Sequence, residues 1–126
     1  MWYVTTVLIP LRGMAVGDGW IDPVNMVGGD PDMMYNFGLC SLKQKAIIQN
    51  YCDETVQYIK SGNMTAAFYV WDEMLNGDVY PYANYFHNIT GSNDYDNFLR
   101  TNAPEEFGFF GNYVSLPAVK IAMHTG

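Results

Sequence analysis

The sequence predicts an α/β arrangement in which one or two short strands near the N-terminus are followed by mostly helix, as in a piece of a larger fold. Three observations predict it. Residues 1–11, MWYVTTVLIPL, form an apolar run in which Tyr3, Val4, Thr5, Thr6, Val7 and Ile9 are β-branched or aromatic, which suits a buried strand. From Ser41 onward, apolar residues recur at helical spacing over two long stretches. A lone strand cannot satisfy its own backbone N–H and C=O groups, so this pattern requires neighbours that the 126 residues do not themselves supply.

The elements follow in order. The opening run is shorter than the roughly 20 residues a bilayer span needs, and it lacks the positively charged start of a secretory signal. Met14 to Val16, bounded by Gly13 and Gly17, reads as a second short buried strand. Gly17 and Gly19 flank Asp18 in a turn. Asp22 is a good N-cap and Pro23 suits the first helical position, so a helix starts there and is broken by Gly28, Gly29 and Pro31. A second start at Asp30 or Pro31 runs to Phe37, with Gly38 as the stop. The clearest helix is Leu42 to Lys60. Ser41 caps it, Ile48, Cys52, Thr55 and Ile59 form its stripe, Ile47, Tyr51 and Tyr58 widen that stripe, and Gly62 ends it. The next helix, Met64 to Leu75, carries Met64, Phe68, Trp71 and Leu75 on one face and closes a helical hairpin through Ser61-Gly62-Asn63. Residues 76–95 read as an irregular loop, with a short helix or strand at Asp96 to Leu99. A last helix covers Ala118 to Met123, with Pro117 in its first turn.

Charged residues make up only 15% of the chain, which implies apolar surface awaiting a partner. The formal net charge is −7 with six scattered Lys and Arg residues. Without a cationic cluster to release counterions, the chain is not expected to bind nucleic acid, and anionic membranes are disfavoured for the same reason. Cys40 and Cys52 would lie about 18 Å apart on one helix, whereas a disulfide needs Cα atoms within about 7 Å. They can pair only if Cys40 folds back in a loop, and spacing favours separate thiols. No CxxC or His/Cys cluster has metal-ligand spacing, and Gly17-Asp18-Gly19 lacks the third glycine of a dinucleotide loop, so neither metal nor cofactor is expected.

A serine nucleophile of the α/β type needs a Gly-x-Ser-x-Gly elbow. Ser41, Ser61, Ser92 and Ser115 all lack that context, and His87 and His124 have no nucleophile or acid beside them in sequence. Asp18 and Asp22 form a potential carboxylate pair, but their Gly and Pro neighbours favour turn and cap duty. Asn63-Met64-Thr65 and Asn88-Ile89-Thr90 are N-glycosylation acceptors if the protein enters the secretory pathway, with Asn63 also suited to cap a helix.

Several segments, in order, resemble the serine carboxypeptidase family. Gly13-Met14-Ala15-Val16-Gly17-Asp18-Gly19 followed by Asp22-Pro23 resembles its glycine-bounded strand and turn. Ala67-Phe68, Trp71-Asp72 and Leu75-Asn76-Gly77-Asp78 resemble the vitellogenic-like branch, as do Tyr85-Phe86, Asn88-Ile89-Thr90-Gly91 and Tyr95-Asp96-Asn97-Phe98-Leu99. Leu116-Pro117-Ala118-Val119-Lys120 with Ala122-Met123-His124 resembles a helix near the end of the same region.

The resemblance implies an α/β-hydrolase fold with a helical insertion over its cleft. Residues 1–38 would supply a core strand and the helix after it, 39–100 the helical cap, and 101–126 a return segment and helix toward the core. The family's catalytic serine would precede this region and its aspartate and histidine would follow it, so no catalytic residue falls on the chain. His124 matches the histidine of the family's Ala-x-His helix, which is not the triad histidine. Trp20 and Val27 would line the apolar pocket for the residue before the scissile bond, with Trp20 narrowing it, unless Trp20 belongs to the core. Where the branch carries cysteines, this chain has Ser92 and Thr101. The implied protein is a secreted or lysosomal glycoprotein that removes C-terminal residues from a peptide substrate. The alternative is a non-catalytic truncated secreted glycoprotein that binds a peptide or protein partner. Its apolar faces would meet the missing sheet strands of the parent protein, or a second copy in a homodimer.

Overall fold

The computed structural model describes residues 10–17 and 19–125. Its elements are α1 (Pro23–Met26), a 3-10 turn (Val27–Gly29), α2 (Asp30–Asn36), α3 (Leu42–Lys60), α4 (Met64–Trp71), one π turn (Asp72–Asn76), α5 (Tyr85–Thr90), α6 (Phe107–Val114) and α7 (Pro117–Ala122).

Among the described residues there is no strand, which corrects the strand expected at Met14 to Val16. Met14 to Val16 is irregular, with Met14 82% and Val16 50% exposed. The physical reason is the one that made a lone strand awkward: the described residues offer it no second strand to complete a ladder. The strand expected at residues 1–11 lies almost wholly outside the described residues.

α3 is the axis on which the rest assembles. Ser41 Oγ accepts from the Gln44 N–H at 3.3 Å and Gln44 Oε1 accepts from the Ser41 N–H at 2.8 Å, a reciprocal capping box. At the other end Gly62, at φ +81°, lets Gly62 N–H reach Ile59 O and Asn63 N–H reach Tyr58 O, a Schellman stop. Between them, Ile48, Cys52 and Thr55 face inward and are buried. Ile47, expected to widen the stripe, is exposed instead. Val27, Met34, Met74 and Phe86 pack with Ile48 and Cys52 as the core. Burying one such large side chain stabilises by about 2 kcal/mol.

The expected helix from Met64 to Leu75 is split. Its α part ends at Trp71, and the Gly77 N–H then bonds Asp72 O at 2.8 Å, an i to i−5 link that inserts one residue into the turn. The phase of the helix shifts there. Met74 and Leu75 are buried below it, whereas Met64 and Phe68 above it are exposed. The cause is Asp72. Its side chain is fully buried, and Oδ1 accepts from Asn76 Nδ2 (2.9 Å) and Asp78 N–H (2.8 Å), while Oδ2 accepts from Val79 N–H (3.1 Å) and Tyr80 N–H (2.6 Å).

α5 occupies part of the region read as irregular. Asn84 caps it by accepting from His87 N–H at 2.7 Å and anchors it to the π turn by donating to Leu75 O at 2.6 Å. Asp96 to Leu99 is a turn rather than a helix or strand, held by Asp94 Oδ1, which accepts from the Asp96 and Asn97 N–H groups. α6 was not anticipated, and α7 lies where a last helix was expected. Neither buries a single side chain, and Phe107, Phe110, Tyr113 and Ile121 are exposed.

Candidate functional site

The glycine turn leads directly into Trp20. A Cβ on Gly19 would lie 2.4 Å from Val16 Cγ1, so only glycine lets the chain pass there without displacing Val16. Trp20 is about half exposed, and its ring centroid stands 5.3 Å from that of Trp71 at an interplanar angle of 40°. Trp71 meets Phe68 in turn at 6.3 Å.

This tryptophan pair is a shared wall between two open cavities. One, of about 340 Å³, is bordered by Gly19, Met26, Met33, Leu75, Tyr95 and the charged Asp96 besides the pair. The other, of about 390 Å³, is bordered by Pro23, Ile59, Met64 and Phe68 besides the pair, and by Thr55. Apolar walls with few polar groups are the ordinary form of a ligand pocket. Thr55 Oγ1 and Trp71 Nε1 are buried without a hydrogen-bond partner. Val27, the second expected wall residue, is fully buried in the core and borders neither cavity.

Two carboxylates brace the surroundings. Burial pushes the Asp72 carboxyl up, but the bonds it receives from the Asn76 amide and the Tyr80, Asp78 and Val79 N–H groups outweigh this and hold it below the usual carboxylate range. The Arg100 side chain, ion-paired with Asp94, holds that carboxyl low as well, helped by the Asn97 and Asp96 N–H groups. Asp30 differs. Burial pushes it up to about 6, and its Oδ2 has no partner. The Tyr51 hydroxyl donates to Glu73 Oε1 at 3.1 Å, and burial followed by the Glu73 charge pushes it up to about 12.

Every serine hydroxyl is occupied locally. Ser41 caps α3, Ser61 donates to Tyr58 O, Ser115 donates to Gly111 O, and Ser92 bonds Asp94 O and Thr101 O. None is bonded to a histidine among the described residues. Cys40 and Cys52 are both free and buried, with Cys52 Sγ 3.7 Å from Met74 Sδ and its thiol pushed up to about 12, mainly by burial. No group of three or more His, Cys, Asp or Glu side chains among the described residues is placed to hold a metal ion. No helix among them is long and apolar enough to cross a membrane.

The two sequon asparagines are exposed. Asn63 caps α4 through Oδ1, accepting from Ala66 N–H at 3.1 Å, which leaves Nδ2 free. Asn88 lies in α5 and donates from Nδ2 to Ala83 O at 3.0 Å. The segment from Ser92 to Thr101 is closed by Ser92 Oγ donating to Thr101 O (3.3 Å) and Asn93 N–H donating to the same carbonyl (2.8 Å). Hydrogen bonds thus close the loop at the two positions where the resemblance implies cysteines.

The sequence assigned Trp20 to the pocket but placed Trp71 only in a helical stripe and in the Trp71-Asp72 segment that carries the resemblance. Nothing local to either residue signals that they meet, because the contact depends on how the first turn lies across the hairpin.

Comparison with known proteins is consistent with these features. Residues 4–126 match the family described as serine carboxypeptidase. The chain is 40% identical over 98% of its length to the probable serine carboxypeptidase CPVL of Homo sapiens. It is 30% identical over 94% of its length to the venom serine carboxypeptidase of Apis mellifera, and 24% identical over 94% to the vitellogenic carboxypeptidase of Aedes aegypti. It spans about a quarter of the length of each of these relatives (26%, 25% and 25%). No solved structure gives a significant match.

Proposed function

Since the chain belongs to the serine carboxypeptidase family, we propose that it is the cap and pocket-wall segment of an α/β-hydrolase that removes C-terminal residues from peptides. The serine, aspartate and histidine that carry the chemistry lie in polypeptide beyond these residues. In that scheme the serine hydroxyl attacks the last peptide carbonyl, the C-terminal residue leaves as a free amino acid, and water releases the acyl-enzyme.

The observation that carries this reading is the coincidence of family membership over residues 4–126 with an occupied hydroxyl at each serine. The segment is similar to carboxypeptidases, yet none of its serines is paired with a histidine among the described residues. Trp20 forms the wall of the pocket for the residue before the scissile bond, on the side of the cavity that Gly19 borders, whereas Val27, also assigned to that pocket by resemblance, is buried in the core and borders neither cavity. Residues 1–38 serve the sheet, 39–100 the cap, and 101–126 the return to the core. The exposed apolar side chains of α6 and α7 meet the parent's sheet elements. Asn63 and Asn88 carry glycans in a secreted or lysosomal product. A glycosylated asparagine keeps one amide N–H, so Asn88 can retain its bond to Ala83 O.

The test is direct. The chain alone releases no C-terminal residue from a blocked dipeptide, whereas a complete reading frame with an upstream Gly-x-Ser-x-Gly does. Release by the isolated chain overturns the reading, as does inactivity of the complete protein.

A further inference from the structure

Resting on the reading of Trp20 as a pocket wall, we propose that Trp71 is a positioning residue that sets the width of that pocket, and so decides how large a side chain is accepted before the scissile bond. Trp20 comes from an irregular turn with no helix or ladder of its own to fix its ring. What it leans on is Trp71, centroid to centroid at 5.3 Å. Both rings border both cavities, so the pair is the partition between about 340 Å³ on the Gly19 side and about 390 Å³ on the hairpin side.

Trp71 itself is well anchored. It is the last residue of α4, Phe68 lies beside it at 6.3 Å, and the next residue, Asp72, is pinned by four hydrogen bonds to the segment that follows. The turn therefore takes its position from the hairpin, and not the reverse. Shortening Trp71 removes the support behind Trp20 and joins the two spaces. A large side chain before the scissile bond then gains the space of both cavities, while a small one loses its contact with the rings.

The experiment uses the complete carboxypeptidase and two blocked dipeptides with the same C-terminal residue, one with alanine and one with phenylalanine before the scissile bond. For Trp71→Ala, the ratio of kcat/KM for the phenylalanine substrate over the alanine substrate rises about ten-fold, carried by KM, within the range that apolar pockets achieve per altered group. Trp71→Phe, which keeps a ring and disturbs folding least, gives a smaller shift in the same direction. A uniform loss on both substrates, with an unmoved ratio in both variants, overturns the inference. Trp20→Leu separates the two levels. If it moves the ratio and the Trp71 variants do not, Trp20 remains a wall and Trp71 has no part in it. If none of the three moves the ratio, the assignment of Trp20 falls and takes the inference with it.

Discussion

Replacing Asp72 by asparagine changes one atom, yet it is expected to destabilise the cap severely. The carboxylate is fully buried and receives two donors on each oxygen: Asn76 Nδ2 and Asp78 N–H on Oδ1, Val79 N–H and Tyr80 N–H on Oδ2. Whichever oxygen becomes NH2, two donors then face a donor, so rotation of the amide offers no escape. A hydrogen bond to a charged acceptor is worth about 1.5–3 kcal/mol, and buried donors left without a partner add to the loss. Since the two bonds share one site they do not sum fully, and about 3–5 kcal/mol is expected. The assay is urea denaturation of parent and Asp72→Asn chains, with amide hydrogen exchange at Asp78, Val79 and Tyr80. Those three amides exchange fastest relative to the parent, because they lose their acceptor. The pH dependence has a definite sign. The folded pKa lies below the ordinary value of 3.8, so the stabilisation is complete above that value and is lost as pH falls through the folded pKa; the asparagine variant lacks this slope. Equal midpoints, or unchanged exchange at the three amides, would refute the reasoning.

Other outcomes are expected on the same grounds. Asp30 is pushed up to about 6, so it disfavours the folded state increasingly as pH rises from about 4 to 6; Asp30→Asn is therefore more stable than the parent at neutral pH and shows no such fall in a pH series of denaturation midpoints. Ser92→Cys with Thr101→Cys converts the hydrogen-bonded loop closure into a covalent one, stabilising by about 2–3 kcal/mol under oxidising conditions, with the gain abolished by a reductant; a pair that never forms a crosslink would contradict the closure seen here. Expressed through a secretory pathway, Asn63→Gln and Asn88→Gln each remove one mobility step on a denaturing gel, and an unchanged step argues against that acceptor.

The parts of the fold legible in the sequence are those whose cause is local. Ser41 with Gln44 at one end and Gly62 at the other bracket α3 by short-range bonds, so its bounds could be read from residue types alone. Pro23 and Pro117 likewise marked helix starts. The π turn was not legible, because the signal that creates it sits six to eight residues downstream, in the N–H groups that Asp72 captures. α5 had a readable start in Asn84 and stop in Gly91, but its surroundings of Asn, Asp, Gly and Pro outweighed them. The strand at Met14 to Val16 failed for a different reason, since strand propensity becomes a strand only where a partner exists. At the site, Trp20 was assigned to the pocket by resemblance. Trp71 entered only as part of the resembling Trp71-Asp72 segment and of a helical stripe, because its place beside Trp20 depends on a contact across the fold rather than on its neighbours in sequence.

The bare helices α6 and α7 carry a consequence for the order of events during synthesis. They bury no side chain, so completion of the cap sets the Arg100 guanidinium over the Phe107 ring but leaves Phe110 and Ile121 exposed. A ribosome that has just delivered this stretch presents a greasy, uncommitted surface, the kind of feature chaperones attend to and misassembly exploits. The sooner neighbouring polypeptide covers it, the shorter that exposure lasts.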